Sequence, residues 1–187
     1  MKKAQKRYLL RGFIDGVLSS LGVVIGASAA LGINGSINAF SIVIAAGVGG
    51  GVANGFSNIL GAFVGEKLVK EIRLEEIEKA MLREGALRET EMEKDLEKEI
   101  ISSGIFDGIS TIMGSLIPVI PFFIGYFIPA YGYLFLYASI LASLILFFVI
   151  GLYIGKISKE NLLISGLKLM LFAVVTVAVT TIIKMIF

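Results

Sequence analysis

Residues 104–128 read GIFDGISTIMGSLIPVIPFFIGYFI, and Asp107 is the one charged side chain among them. A helix needs about 20 mostly apolar residues to cross the hydrocarbon core of a bilayer. This stretch meets that requirement, and so do four others, at about 13–32, 37–64, 131–155 and 162–187. The sequence therefore predicts an all-α integral membrane protein with five transmembrane helices and the lipid bilayer as its surroundings.

The composition of the whole chain agrees with a membrane protein and narrows its chemistry. Of its 187 residues, 56% are hydrophobic and 17% are charged, against roughly 25% charged residues in soluble domains. The chain has no Cys and no His, which excludes thiolate metal sites, iron–sulfur clusters and Ser-His-Asp triads. We therefore expect no enzyme activity, no tightly bound cofactor and no nucleic-acid partner. Oxygen atoms or Met sulfur would have to hold any metal.

The charged residues are concentrated in one segment. Of the 15 acidic residues, 12 lie between Glu66 and Glu99, where they are mixed with Lys and Arg. This concentration divides the chain into three parts. Transmembrane helices 1–2 lie in 1–64, a Glu-rich helical insert in 65–103, and transmembrane helices 3–5 in 104–187.

The distribution of Lys and Arg predicts the orientation, because these residues favour the cytoplasmic side of a membrane. Five basic residues precede the apolar part of the first span, and Lys156 and Lys159 follow the fourth. We therefore predict a cytoplasmic N-terminus, a cytoplasmic insert and a C-terminus outside. The uncharged loops at 32–36 and 129–130 would then face the outside.

Two segments resemble each other at an offset of 92 residues. Residues 12–22 read GFIDGVLSSLG and residues 104–114 read GIFDGISTIMG, with Asp15 and Asp107 at the same point. The similarity predicts that spans 1–2 and 3–4 form a parallel repeat to which span five is added, an arrangement found in transporters. Chance similarity between two apolar segments is the alternative.

Asp15 and Asp107 are the two carboxylates of the apolar spans, where an ionisable group is costly and commonly functional. Ser19 and Thr111 follow them by one helical turn and lie on the same face as the carboxylates. This pairing of a carboxylate with a hydroxyl is typical of an ion or proton site. The alternative is that each Asp is stabilised by the dipole at the N-terminal end of its helix.

Span two adds a polar stripe, since Asn54 and Asn58 are also one turn apart. They either line a transport pathway or form hydrogen bonds between helices. The predicted pathway residues are Asp15, Ser19, Asn54, Asn58 and Asp107. Asp15 is also a predicted metal ligand.

The insert is rich in helix-forming residues, and it predicts two helices, 66–84 and 86–100, divided at Gly85. Acidic residues recur on one face of each helix at helical spacing. These predicted metal ligands are Glu71, Glu75, Glu78, Glu89, Glu93 and Glu97. Antiparallel packing would bring the two faces together as a cluster for a divalent cation. The alternative is a solvated hairpin with ion pairs at Glu66–Lys70, Glu75–Lys79 and Glu84–Arg88.

Glycine recurs at every fourth residue on the first two spans. The positions are Gly22 and Gly26, then Gly47, Gly51 and Gly55, then Gly61 and Gly65. This spacing lets helix backbones approach closely in lipid. The run at 49–51 costs roughly 1 kcal/mol per glycine relative to Ala. It predicts either a weak point in the helix or a very close backbone contact.

Several of these features together resemble the vacuolar iron transporter family, which includes predicted iron and manganese transporters of plants, yeast and prokaryotes. The features are Asp15-Gly16 near the start of span one, the small-residue stretch at 53–63, and the Glu-rich insert after it. A further feature is residues 114–122, GSLIPVIPF, which are close to the family pattern Gly-Gly-Leu-Ile-Pro-Leu-Leu-Pro-Tyr. The resemblance covers nearly the whole chain.

The resemblance implies a homodimeric, proton-coupled exporter of Fe²⁺ or Mn²⁺, here in a prokaryotic cell membrane. It also implies an ion path along the dimer interface, with Asp15 as a transport ligand and with metal collected by the glutamates of the insert. Plant members carry a Glu and a Met eight residues apart on span two, where this sequence has Gly50 and Asn58. The insert is also shorter, so the resemblance does not select among iron, manganese and other divalent ions.

Two classes of function therefore fit the sequence. The first is a secondary transporter of divalent metal ions. The second is a membrane scaffold that transports nothing and uses the charged insert to dock a partner or to shape the dimer.

Overall fold

The computed structural model of the chain describes residues 3–31, 37–82, 87, 90–128 and 132–186. Within these ranges the chain is helical and has no strand. The helices are α1 at Lys3–Ala27, α2 at Ile37–Ala80, α3 at Glu91–Phe127, α4 at Gly132–Ser158 and α5 at Leu162–Ile186, and a short 3₁₀ turn at Ser28–Leu31 follows α1. All five are long and apolar enough to cross a membrane, which confirms the predicted all-α membrane fold.

The second and third helices are longer than a bilayer requires. With 44 residues, α2 is about 66 Å long at 1.5 Å per residue, against a hydrocarbon core of about 30 Å. The excess carries the charged insert, which consists of the C-terminal part of α2 and the N-terminal part of α3. The two insert helices are therefore continuous with spans two and three.

The helix bounds within the insert differ from the predicted 66–84 and 86–100, because α2 ends at Ala80 and α3 begins at Glu91. Thr90 sets the second bound. Its Oγ1 accepts a hydrogen bond from the backbone N–H of Glu93 at 3.4 Å, which caps the first turn of α3. The predicted dividing residue Gly85 lies outside the described residues, as do the pair Glu84–Arg88 and the two loops at 32–36 and 129–130.

The first and third helices pack in parallel through glycine. Gly16 of α1 lies against the backbone of α3 at Thr111, and Gly114 of α3 lies against the backbone of α1 at Phe13. Lipid supplies no hydrophobic force between helices, so close van der Waals contact of this kind must hold them together.

The second helix packs antiparallel to α3, again through glycine. Gly51 lies against the side chain of Ser115, and Gly55 lies against the backbone of Gly108. The helix continues through residues 49–51 without a break. Within this run, only Gly51 makes a close contact, and its partner is the side chain of Ser115; Gly50 is in ordinary contact with Val23, and nothing lies within 4 Å of a Cβ added at Gly49. The run therefore does not break the helix, and its effect on helix strength stays a prediction.

Two features fix the ends of the bundle. The N-terminal part of α1 meets the insert where Arg7 pairs with Glu66 at 3.3 Å and Gln5 donates to Ser102 at 2.7 Å. We call this the charged end. Toward the opposite end, an apolar core surrounds Phe40, whose ring packs edge-on against Phe135 at 5.5 Å between centroids. The polar groups of the spans lie between these two ends.

We predict that Gly16→Ala destabilises the fold and that Gly26→Ala on the same helix does not. A methyl group at Gly16 would overlap with the carbonyl of Thr111, whereas Gly26 has no atom within 4 Å of an added Cβ. Overpacking against backbone costs about 1–3 kcal/mol, while the exposed change gains helix propensity. Thermal unfolding in detergent, followed by circular dichroism, measures the difference. Equal melting temperatures for the two variants would contradict the packing described.

Candidate functional site

The polar centre of the spans is built on Asp15, which is half-buried on α1. Its Oδ2 accepts two hydrogen bonds from α2, one from Nδ2 of Asn54 at 2.9 Å and one from Nδ2 of Asn58 at 2.7 Å. The predicted pathway residues on α1 and α2 therefore meet, and the interhelical hydrogen bonds predicted for the two Asn are the ones that they make. A pathway role for these residues stays a prediction.

Two hydroxyl groups complete this arrangement. Asn54 also donates to Oγ of Ser19 at 2.9 Å, and Asn58 also donates to Oγ1 of Thr111 on α3 at 2.8 Å. Each hydroxyl accepts from an amide and donates to a carbonyl of its own helix, as Ser and Thr commonly do in helices. We call these five residues the Asp15 cluster: Asp15, Ser19, Asn54, Asn58 and Thr111.

Asp107 has a different environment from Asp15, although the two occupy the same point of the two similar segments. Its side chain is fully buried, and Oδ2 forms an ion pair with Arg11 of α1. Its other oxygen, Oδ1, is buried without a hydrogen-bond partner among the described residues. The structure thus places Asp107 outside the Asp15 cluster, and the link between them is the bond from Thr111 to its backbone carbonyl.

Arg11 is the residue of this site that the sequence pattern does not identify, since it indicates only that a basic residue there favours the cytoplasmic side. The guanidinium is half-exposed and reaches from α1 to a buried carboxylate on α3. The sequence does offer one indication of this pairing. A carboxylate buried at Asp107 would need a cation near it. Arg11 directly precedes Gly12 in the sequence, and Gly12 packs against Asp107 in the structure.

At the charged end, Lys70 of α2 lies between two predicted metal ligands of α3. Its buried ammonium donates to Glu93 at 3.1 Å and to Glu97 at 3.0 Å. This part of α2 is beyond the length of helix that a bilayer covers. Burial by itself would lower the pKa of Lys70, but the hydrogen bonds and charges of Glu97 and Glu93 outweigh it, and the net direction is upward. The ammonium group therefore stays charged.

The predicted acidic faces of the insert do come together in part. Glu71, Glu93 and Glu97 line one cleft of about 410 Å³, together with Lys67 and Lys70. Across the described ranges, no three acidic side chains stand close enough to hold a metal ion. The metal role of these glutamates stays a prediction.

The remaining insert glutamates lie elsewhere. Glu75 is exposed and pairs with Lys79 at 3.9 Å, as the hairpin alternative predicts. Glu78 is buried and accepts a hydrogen bond from the backbone N–H of Leu87 at 3.0 Å, which gives it a structural contact. Glu89 lies outside the described residues.

Comparison with known proteins places the chain in a family. Residues 75–185, more than half of the chain, match the model of the VIT family. The chain belongs to the vacuolar iron transporter family. A relative in this comparison, an uncharacterized protein of Methanocaldococcus jannaschii, is 48% identical over 164 residues, which are 87% of this chain and 80% of that protein.

Membership in the vacuolar iron transporter family agrees with the five apolar helices, and the chain is an integral membrane protein. Proteins of this family are membrane transporters rather than enzymes. Four of the five residues of the Asp15 cluster precede the matched range, and only Thr111 lies within it, so the role of the cluster must be argued from its own geometry.

We predict that Arg11→Gln destabilises the protein and that adding Asp107→Asn restores much of the loss. The single change leaves a buried carboxylate without its cation, at a cost of about 1–3 kcal/mol, reduced because Arg11 is half-exposed and its pairing is screened by solvent. The second change removes the buried charge. Thermal unfolding of the single and double variants tests the pair, with Lys6→Gln as the control for loss of one exposed N-terminal cation. If Arg11→Gln unfolds like the control, the ion pair contributes nothing.

Proposed function

We propose that the chain exports divalent metal ions of the Fe²⁺ and Mn²⁺ class from the cytoplasm in exchange for protons. The Asp15 cluster is the observation that carries this proposal. It assembles a carboxylate, two amides and two hydroxyls within apolar helices. Carboxylate, carbonyl and hydroxyl oxygens suit hard and borderline divalent ions, and the cost of placing an ionisable group in a span favours a functional role.

The two asparagines suit a site that is loaded and emptied. Each turns its NH₂ group toward the carboxylate of Asp15, which stabilises the negative charge in the absence of a cation. A half-turn of the amide would present its Oδ1 instead, since an amide carries a donor and an acceptor on opposite sides. Asn54 and Asn58 can thus either replace or coordinate the transported ion.

A second copy of the chain would complete the site. Small residues occupy every fourth position along α2, and all of them are exposed. We call these residues the α2 stripe: Ser41, Ala45, Gly49, Ala53, Ser57, Gly61 and Gly65. Small residues at this spacing support close helix pairing in lipid, so we propose that two chains form a homodimer along the α2 stripe.

The α2 stripe is adjacent to the Asp15 cluster, because Ala53 precedes Asn54 and Ser57 precedes Asn58. Dimer formation would therefore bring two copies of Asp15 toward a shared axis. Two facing carboxylates repel each other, and either a divalent cation or protons relieve that repulsion. This exchange supplies a means of coupling metal movement to proton movement.

The charges at the charged end support the proposed orientation and, with it, export. Lys and Arg near helix ends favour the cytoplasm, and the charged end carries Arg7, Arg11 and the basic residues of the insert. We propose that this end is cytoplasmic and that Glu71, Glu93 and Glu97 collect metal there.

We predict that Asp15→Asn abolishes metal transport while the protein still folds, because it keeps the size of the side chain and removes the charge that binds the ion. The assay is movement of Fe²⁺, Mn²⁺, Co²⁺ and Mg²⁺ in liposomes containing the purified chain, each with and without a pH gradient. The matched control is Asp95→Asn, the same change at an exposed insert residue.

Wild-type rates for Asp15→Asn would show that the proposed path is wrong. A rate that is insensitive to the pH gradient would remove the proton exchange and leave metal transport in place. Absence of movement of all four ions with the wild-type chain would favour the membrane scaffold.

We predict that Gly61→Leu separates the dimer and that Gly26→Leu leaves it intact. Both glycines have open space around an added Cβ, but only Gly61 belongs to the α2 stripe. Single-molecule photobleaching in liposomes counts the subunits. Dimers in both variants would contradict the proposed interface.

A further inference from the structure

The insert contains a cation of its own. The ammonium group of Lys70 is held by Glu93 and Glu97, two of the carboxylates proposed to collect metal. We propose that Lys70 is a built-in competitor of divalent cations, so that a metal ion binds Glu93 and Glu97 only by displacing it. This inference rests on the proposed function, since it takes the insert as the cytoplasmic mouth of the pathway.

The exposures of the three side chains support this competition. The Lys70 side chain is 4% exposed, while the side chains of Glu93 and Glu97 are 19% and 58% exposed. The carboxylates are therefore reachable from the cleft, whereas the Lys70 side chain, which lines the same cleft, is almost closed to solvent. A metal ion that arrives through the cleft meets carboxylate oxygens whose charge is already partly neutralised.

The chemistry of the two cations is similar enough for exchange. Carboxylate oxygens bind both an ammonium group and a divalent ion such as Mn²⁺. The ammonium is tethered, so its local concentration is high and constant, and it offsets only one of the two negative charges. Mn²⁺ brings twice the charge, but it must first separate a buried lysine from its partners. Lys70 therefore lowers the metal affinity of the insert and sets the concentration at which metal is collected.

The position of Lys70 adds a structural consequence. It comes from α2, while Glu93 and Glu97 come from α3, so the same contact joins the two helical extensions. Displacing Lys70 removes this link between the extensions. Metal binding at the insert is thus tied to loosening of the charged end.

The test measures Mn²⁺ binding to the purified full chain by electron paramagnetic resonance of free Mn²⁺. Every protein carries Asp15→Asn, so that the site in the spans does not contribute and no transport is required. The variants are Lys70→Gln, Lys70→Arg, and Lys70→Gln combined with Glu93→Gln and Glu97→Gln. Lys67→Gln is the matched control, because Lys67 lines the same cleft and its loss changes the net charge equally.

We predict that Lys70→Gln binds Mn²⁺ roughly 10–100-fold more tightly than the parent, the range seen when groups around metal ligands are changed. Lys70→Arg keeps the cation and should match the parent, and the triple variant should lose the gain. An equal gain in Mn²⁺ affinity for Lys67→Gln would show that the effect comes from net charge alone, which would overturn the proposal. A gain that survives removal of both glutamates would overturn it as well.

A second measurement uses the Asp15→Asn chain with Lys70 intact and therefore does not depend on folding of the Lys70 variants. The probe is acylation of lysines by an amine-reactive ester, read by mass spectrometry with and without millimolar Mn²⁺. We expect Lys70 to react more slowly than Lys67 without metal and to lose this protection as Mn²⁺ is added. Protection that Mn²⁺ does not change would overturn the proposal. Neither result depends on whether Asp15 carries metal, so the two proposals fail separately.

Discussion

The contact on which this structure depends is the direct approach of α1 and α2 to the backbone of α3. In lipid no hydrophobic force drives helices together, so close van der Waals contact and hydrogen bonds must hold them in place. Gly16 and Gly55 provide that contact, and a larger side chain at either position would prevent it. Only at this separation can the amide of Asn58 reach both Asp15 and Thr111. The packing and the polar site are therefore one arrangement.

Much of the fold and part of the site could be predicted from the sequence. Apolar length predicts the five helices because the bilayer fixes the length required. Helical spacing places Asn54 and Asn58 on one face, and the cost of a carboxylate in a span draws attention to Asp15. These inferences use the apolar length and the helical spacing of single segments, and neither depends on how the helices pack against one another.

What the sequence did not reveal depends on pairing between distant residues. Arg11 and Asp107 meet because two parallel helices share a register, and Lys70 meets Glu93 and Glu97 because two antiparallel helices share another. Hydropathy also cannot locate the ends of a helix that leaves the membrane. The backbone hydrogen bonds of α2 continue from the apolar sequence into the charged sequence, so the helix does not end where the polarity changes. The similar segments around Asp15 and Asp107 accordingly differ in their partners, which are neutral amides in one and a guanidinium in the other.

The unbroken course of α2 has a mechanical consequence. Lys70 and Asn54 lie on the same helix, about 24 Å apart along its axis at 1.5 Å per residue, with no proline between them. A continuous helix resists bending and twisting, since each turn is hydrogen-bonded to the next. Any rotation of α2 about its axis at the charged end would therefore turn Asn54 and Asn58 through a similar angle, moving both amides relative to Asp15. The continuous α2 helix would therefore transmit a rotation at its solvent-exposed part to the amides within its apolar part.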